Sequence, residues 1–124
     1  VRPLLEEGTT VLLDRFVDSS LAYQGAGRGL GVDAVRAIND FGTGGLVPDL
    51  TLLLRIDPEA GLGRAAGDDR FEQEGLGLQR AVAEAYGEIA QIAGDRVTVI
   101  DATGTVEEVH ERVMEAVNAR VGAA

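Results

Sequence analysis

An aspartate and an arginine, Asp14 and Arg15, directly follow the apolar run "TVLL" at residues 10–13. In open parallel sheets, ligands bind beyond the carboxyl ends of the strands, which is where this pair would lie. The Arg15 guanidinium offers a fork of donors that matches a phosphate or a carboxylate. Asp14 could orient that arginine or hold a water of a magnesium ion, because Mg²⁺ prefers oxygen ligands and keeps much of its hydration.

Four polar side chains follow within about two helical turns: Ser19, Ser20, Tyr23 and Gln24. In an α-helix, Ser20, Tyr23 and Gln24 would share one face, since residues three and four apart are neighbours. A hydroxyl, an aromatic ring and a carboxamide on one face could bind a nucleobase by stacking and by edge hydrogen bonds. The residues alone leave an alternative open, namely a helix-capping serine, an Asp-Arg salt bridge and a half-buried tyrosine.

Three short apolar runs predict the strands that would position these residues. They are "TVLLD" at 10–14, "LTLLLRID" at 50–57 and "RVTVID" at 96–101. The first two are continuous rather than alternating, which is typical of parallel strands covered on both faces.

Helical patterns separate and follow the runs, at residues 33–41, 71–93 and 106–121. Thr105 stands before the last helix as an expected N-cap, with acidic residues in the first turn. Strands alternating with helices favour an α/β fold with a parallel sheet. Three strands are few for such a sheet, and the chain begins at Val1 in what looks like the middle of a fold, so we expect a fragment of a longer protein.

The composition excludes several classes of function. A net charge of −10 and a pI near 4.4 argue against a nucleic-acid-binding surface. The absence of cysteine excludes disulfides and thiolate zinc sites, and it is compatible with a reducing cytoplasm. No apolar run approaches the roughly 20 residues of a membrane span. All 11 basic residues are arginine, so the chain contains no lysine.

The stretch "LLDRFVDSSLAYQGAGRGLG" closely resembles the signature of bacterial thymidylate kinases. The resemblance continues through "FGTGGLVPDLTLLLRIDPEAGLGRA", "DRFEQEGLGLQRAV" and "VIDAT", and so spans nearly the whole chain. It implies a P-loop NTP hydrolase-like fold, a three-layer α/β arrangement of a parallel sheet flanked by helices. It also implies transfer of a phosphoryl group from ATP to dTMP with Mg²⁺, a cytoplasmic location and a homodimer. The apolar faces of the helices at 33–41 and 71–93 could pair in such a dimer, although core packing is the ordinary use of such faces.

The resemblance also implies roles for the residues around Arg15. Arg15 would hold the phosphate of dTMP, with Asp14 beside it near the magnesium ion. Ser20 and Gln24 would contact the thymine. Tyr23 would lie against the deoxyribose, where its ring disfavours a 2′-hydroxyl.

On the ATP side, the resemblance implies a mobile lid at about residues 62–72. Arg64 and Arg70 would bridge the transferring phosphates there, and Thr103 would lie near the adenine. The alternative for each arginine is a solvated surface charge, with Arg70 paired to Asp68 or Asp69.

The chain departs from the family pattern in several places. The phosphate loop of the family carries a lysine, and this chain has none. The family's first strands, one of which lies between the strands expected at 10–14 and 50–57, are also missing. We therefore expect residues 1–124 to be a partial nucleoside monophosphate kinase domain that does not turn over ATP alone.

The lid is also short and poor in arginine.

Two other interpretations of the function remain open. One is a P-loop kinase for another nucleotide or a deoxynucleoside, and the other is a degenerate nucleotide-binding module without catalysis.

Overall fold

The computed structural model describes residues 1–57 and 75–122. Five α-helices are described, α1 (Arg2–Glu6), α2 (Val17–Ser20), α3 (Val32–Thr43), α4 (Gly75–Ala93) and α5 (Val106–Gly122). A π-helix (Leu21–Gly27) continues α2, and a short 3₁₀-helix (Gly94–Arg96) follows α4. The two strands are β1 (Thr51–Arg55) and β2 (Val97–Asp101). None of the helices within these residues is long and apolar enough to cross a membrane.

The strands β1 and β2 pair in parallel, in a register that aligns Thr51 with Val97 and Arg55 with Asp101. The sequence predictions at 50–57 and 96–101 are therefore confirmed, as is the parallel pairing. The predicted helices at 33–41 and 106–121 are confirmed as α3 and α5. The long helix is confirmed from Gly75 onward, and the expected lid lies outside the described residues.

The strand expected at residues 10–14 is wrong for this structure. That segment has no regular secondary structure, and Leu12 and Leu13 are 92% and 44% exposed. A strand is stable only when a neighbouring chain satisfies its backbone N–H and C=O groups. Among the described residues no segment pairs with 10–14 as a strand, and the sheet has two strands rather than three.

The π-helix lies at the centre of the packing, between α3 and α4. Leu21 and Ala22 on it are 2% and 0% exposed, and Ala22 packs against Val82 and Ala85 of α4. Gly27 permits the approach, because a Cβ there would lie 3.0 Å from side-chain carbons of both Leu78 and Val82. The segment that carries Tyr23 is therefore held by tertiary packing.

Candidate functional site

Arg15 lies in a tight turn between the irregular segment 9–13 and α2. Its backbone has φ 64°, the left-handed region that residues other than glycine seldom adopt. The side chain is exposed, and its guanidinium carbon lies over the Tyr23 ring, 5.2 Å from the ring centre. At this distance a cation is attracted to the face of an aromatic ring. The turn therefore presents a cation whose direction is set by Tyr23.

A second tyrosine supports the first. The Tyr86 ring of α4 lies 6.3 Å from the Tyr23 ring, centre to centre, with an angle of 79° between the planes. Such an edge-to-face arrangement is favoured by the quadrupoles of the two rings. The Tyr86 hydroxyl donates a hydrogen bond of 2.8 Å to Ser19 Oγ on α2. Tyr86 thus joins α4 to both α2 and the π-helix.

Partial burial raises the pKa of the Tyr86 hydroxyl above its ordinary value of 10.0. The hydroxyl therefore stays protonated near neutral pH and keeps its ability to donate to Ser19. The sequence predicted a helix over 71–93 but gave no sign of a role for Tyr86. No local signal could have found this contact, because Ser19 and Tyr86 are 67 residues apart in the chain.

The two other residues predicted to contact a base are placed differently. Ser20 is half-buried at the end of α2, whereas Gln24 is exposed on the π-helix. The expected common face with Tyr23 assumed α-helical winding, but Tyr23 and Gln24 lie in π-helical winding, where the three-and-four spacing does not apply. In the described part of the chain, neither Ser20 nor Gln24 forms a hydrogen bond with Arg15 or Tyr23.

The residues alone had left a second interpretation open for 14–24, namely a capping serine, an Asp-Arg salt bridge and a half-buried tyrosine. This interpretation holds only in part. Tyr23 is half-buried, as that interpretation expected. The residue at the N-cap of α2 is Phe16 rather than a serine. Within residues 1–57 and 75–122, Asp14 and Arg15 form no ion pair with each other. Arg15 is therefore oriented by an aromatic ring rather than by its neighbouring carboxylate.

A half-buried polar network holds α2 against the sheet. The Asp18 carboxylate accepts hydrogen bonds of 2.8 and 2.9 Å from two nitrogens of Arg96, which precedes β2. Thr51 Oγ1 of β1 accepts from Arg96 at 2.9 Å and donates to Asp18 at 3.1 Å. Asp18 also raises the pKa of the Arg96 guanidinium. Sequence analysis missed this network, whose charged partners are 78 residues apart.

The end of β2 carries a second polar cluster. The backbone N–H and hydroxyl of Thr103 donate to Asp101 Oδ1 at 2.9 and 2.7 Å, and they hold the pKa of that carboxyl below its usual range. Arg112 of α5 donates to the carbonyls of Asp101 and Thr103, both at 2.7 Å. Thr103, predicted to lie near adenine, thus directs its hydroxyl to Asp101. Its role toward adenine remains a prediction.

Thr105 caps α5 as expected. Its hydroxyl accepts from the Glu108 N–H at 3.2 Å, and its own N–H donates to the Glu108 carboxylate at 2.8 Å. This reciprocal arrangement is a capping box. A groove of about 240 Å³ lies beside the cap and is lined by Ala102, Gly104, Thr105, Val106 and Val109.

A second groove, of about 220 Å³, lies between α2, α3 and the end of α4. Leu46, Val47 and Ile92 contribute to its apolar lining. It includes none of the residues predicted to bind a ligand.

Metal ligands are sparse in the described ranges, which contain no group of three or more His, Asp or Glu side chains able to hold an ion. The exposed carboxylate of Asp14 could supply one oxygen ligand, directly or through water. That suits Mg²⁺ only if other oxygens, such as those of a bound phosphate, complete the coordination. The predicted lid arginines, Arg64 and Arg70, lie outside the described residues.

Fold and site together define an α/β protein that presents a phosphate-binding type of side chain, Arg15, next to an aromatic ring. Comparison with known proteins narrows this class. Residues 1–113 match the family model described as thymidylate kinase. The chain belongs to the thymidylate kinase family, which implies a P-loop NTPase fold, and the parallel α/β arrangement is consistent with it.

Individual relatives agree with the family model. The chain is similar to the thymidylate kinase of Lactobacillus helveticus, with 45% identity over 98% of this chain and 59% of the relative. It is 49% identical to that of Lactobacillus delbrueckii subsp. bulgaricus, over 88% of this chain and 54% of the relative. It is 47% identical to that of Deinococcus radiodurans, over 97% and 60%. The chain spans about three fifths of the length of these relatives.

Proposed function

We propose that this chain is part of a thymidylate kinase that transfers the γ-phosphoryl group of ATP to dTMP. An oxygen of the dTMP phosphate would form a bond to the γ-phosphorus, and the bond from that phosphorus to the β–γ bridging oxygen would break. The products would be dTDP and ADP. The observation that carries the proposal is the Arg15 guanidinium held over the Tyr23 ring at a turn with positive φ, in a chain that belongs to this family.

On the dTMP side, Arg15 binds the 5′-phosphate through its forked donors. Tyr23 lies against the deoxyribose, and Ser20 and Gln24 contact the thymine. The exposure of Arg15 supports its role, because no protein carboxylate competes with an incoming phosphate at that guanidinium among the described residues. Gln24 is exposed as well and is free to turn toward a base.

On the ATP side, Thr103 lies near the adenine, and Arg64 and Arg70 of the lid at 62–72 bridge the transferring phosphates. Asp14 would hold a Mg²⁺ ion through a bound water, together with oxygens of the nucleotide phosphates. When bound, Mg²⁺ neutralises charge on the phosphates. Positioning and charge neutralisation supply most of the rate in such transfers.

The 124 residues alone are proposed to be inactive, because they contain no lysine to serve a phosphate loop. The short lid, with only Arg64 and Arg70, favours a second candidate, a nucleotide-binding module of this family that has lost catalysis. A kinase for another nucleotide or a deoxynucleoside is the third. All three predict different results in a single assay.

That assay uses the complete gene product and measures dTMP binding by calorimetry alongside ADP release with dTMP, with other nucleoside monophosphates and with thymidine. We expect turnover that depends on dTMP, and none from the 124-residue chain alone. Binding of dTMP without turnover by the complete product would favour the degenerate module. Preference for another acceptor would favour the third candidate.

Replacement of Arg15 by alanine tests the carrying observation. Because charge-assisted hydrogen bonds to phosphate are lost, we expect the dissociation constant for dTMP to rise about 10- to 100-fold. The matched control is Arg36→Ala, which removes an exposed arginine of α3 and leaves the site intact. An unchanged dTMP affinity in Arg15→Ala, measured by calorimetry, would contradict the assignment.

The other partner proposed is a second copy of the protein, in the cytoplasm. Ile38 and Phe41 of α3 and Ile92 of α4 are 72%, 93% and 79% exposed, which supports pairing through these helices. Sedimentation of the complete gene product tests this, with Phe41→Asp expected to shift a dimer toward monomer. Neither nucleic acid nor membrane is proposed as a partner, since the net charge is −10.

A further inference from the structure

Tyr86 makes two contacts that the proposed function does not use. Both contacts are with the helical segment formed by α2 and the π-helix. Its ring meets the Tyr23 ring edge to face, and its hydroxyl is bonded to Ser19. Ser19 and Tyr23 belong to one continuous helical segment formed by α2 and the π-helix. Tyr86 therefore contacts that segment at two residues, Ser19 and Tyr23, which are four positions apart.

The Tyr23 ring in turn lies between two partners. Arg15 lies over it at 5.2 Å, and Tyr86 meets it at an interplanar angle of 79°. Tyr23 is half-buried, so one part of the ring stays accessible to a ligand. An aromatic side chain reorients about two torsions, and fixing both needs contacts on more than one side. Tyr86 supplies the contact from the side of α4.

We propose that Tyr86 is a positioning residue for nucleotide selection, which sets the tilt of the Tyr23 ring through the Ser19 hydrogen bond and the edge-to-face contact. This inference rests on the proposed role of Tyr23 at the sugar of a nucleoside monophosphate. A fixed ring leaves no room for a 2′-hydroxyl, whereas a ring free to tilt makes room for one. Tyr86 thereby controls discrimination between deoxyribose and ribose without touching the ligand.

The experiment measures the dissociation constants of dTMP and of ribothymidine 5′-monophosphate for the complete gene product, by calorimetry. The discrimination is the ratio of the ribose value to the deoxyribose value. Tyr86→Phe removes only the hydroxyl, and Ser19→Ala removes only its acceptor. We expect each to lower the discrimination about 3- to 10-fold, the range that one hydrogen bond supports.

The double variant tests whether Ser19→Ala and Tyr86→Phe act through the one hydrogen bond or through two separate effects. Because both single changes break the same bond, Ser19→Ala combined with Tyr86→Phe should lower the discrimination no further than either alone. Ile89→Val is the matched control. Ile89 lies one turn along α4 and packs on the same apolar cluster. It should lower the melting temperature and leave the discrimination unchanged.

The outcomes keep this inference distinct from the proposed function. If the unaltered protein binds dTMP selectively but Tyr86→Phe keeps full discrimination with a lower melting temperature, Tyr86 is structural only and the inference is overturned. If the unaltered protein binds dTMP without discriminating the sugars, the role of Tyr23 fails and the inference fails with it. If it binds no dTMP at all, the proposed function itself fails.

Discussion

The turn at Arg15 and the loop after β2 both follow apolar runs, yet they hold their polar side chains in opposite ways. Around Arg15, the supporting bonds join residues 67 and 78 apart in the chain, through Tyr86 and Arg96. After β2, the bonds to Asp101, Thr103 and Thr105 span between 2 and 11 residues.

This difference shows that the turn at Arg15 depends on the packing of helices against one another, whereas the loop after β2 does not. The loop after β2 needs only the strand, a threonine and the first turns of α5. The turn at Arg15 needs α2 and the π-helix to be seated against α4 and the sheet. Changes far from Arg15 should therefore disturb it, while changes near Thr105 should stay local.

The largest expected effect comes from removing the charged link between α2 and the strands. Arg96→Met leaves Asp18 and Thr51 without their shared donor in a site where the Asp18 and Arg96 side chains are only 14% and 22% exposed. We expect the free energy of unfolding to fall by about 3 kcal/mol. Urea denaturation of the complete gene product measures this. The control Arg36→Met, on an exposed arginine, should change stability by less than about 0.5 kcal/mol.

A smaller effect is expected where the π-helix contacts α4. Gly27→Val places carbon atoms into contacts with Leu78 and Val82 that are already as close as 3.0 Å for a Cβ. Overpacking of this kind should cost about 2 kcal/mol and should also weaken dTMP binding. Gly42→Ala is the control, because a Cβ there meets nothing within 4 Å and alanine favours the helix. Equal stability of the two variants would contradict the packing argument.

The smallest effect is expected in the local region. Thr105→Ala removes the acceptor for the Glu108 N–H at the start of α5 and should cost about 1 kcal/mol. Because this cap is local, dTMP affinity should stay within twofold, or about 0.4 kcal/mol, of the unaltered value. Thermal unfolding and calorimetry on the same samples check both statements. A loss of dTMP affinity as large as that of Gly27→Val would remove the distinction between the regions.

The elements that could be predicted from sequence are those with a strong local pattern. The runs at 50–57 and 96–101, the helices at 33–41 and 106–121 and the Thr105 cap are all confirmed. The run at 10–14 has the same apolar character but is not a strand. An apolar run shows only that a segment is suited to be a strand. A strand forms only where a second segment is present to pair with it.

The candidate site likewise contains residues that could be predicted from the sequence and contacts that could not. Asp14, Arg15 and Tyr23 could be singled out by residue type and spacing, and the family could be recognised from its motifs and is confirmed. Ser19 as the acceptor for Tyr86, and Asp18 as the partner of Arg96, could not be found. Neither pair has a spacing that any local rule connects.

By itself, the sequence determined the family, the α/β class, two of the strands, and the presence of a guanidinium, an aromatic ring and polar side chains in one short stretch. Such features depend on side-chain type and on periodicity over a few residues. Only the tertiary structure decided that Tyr23 lies between Arg15 and Tyr86, and that the segment carrying it winds as a π-helix. Both depend on how closely α4 approaches that segment, which is set by packing between residues more than 50 positions apart.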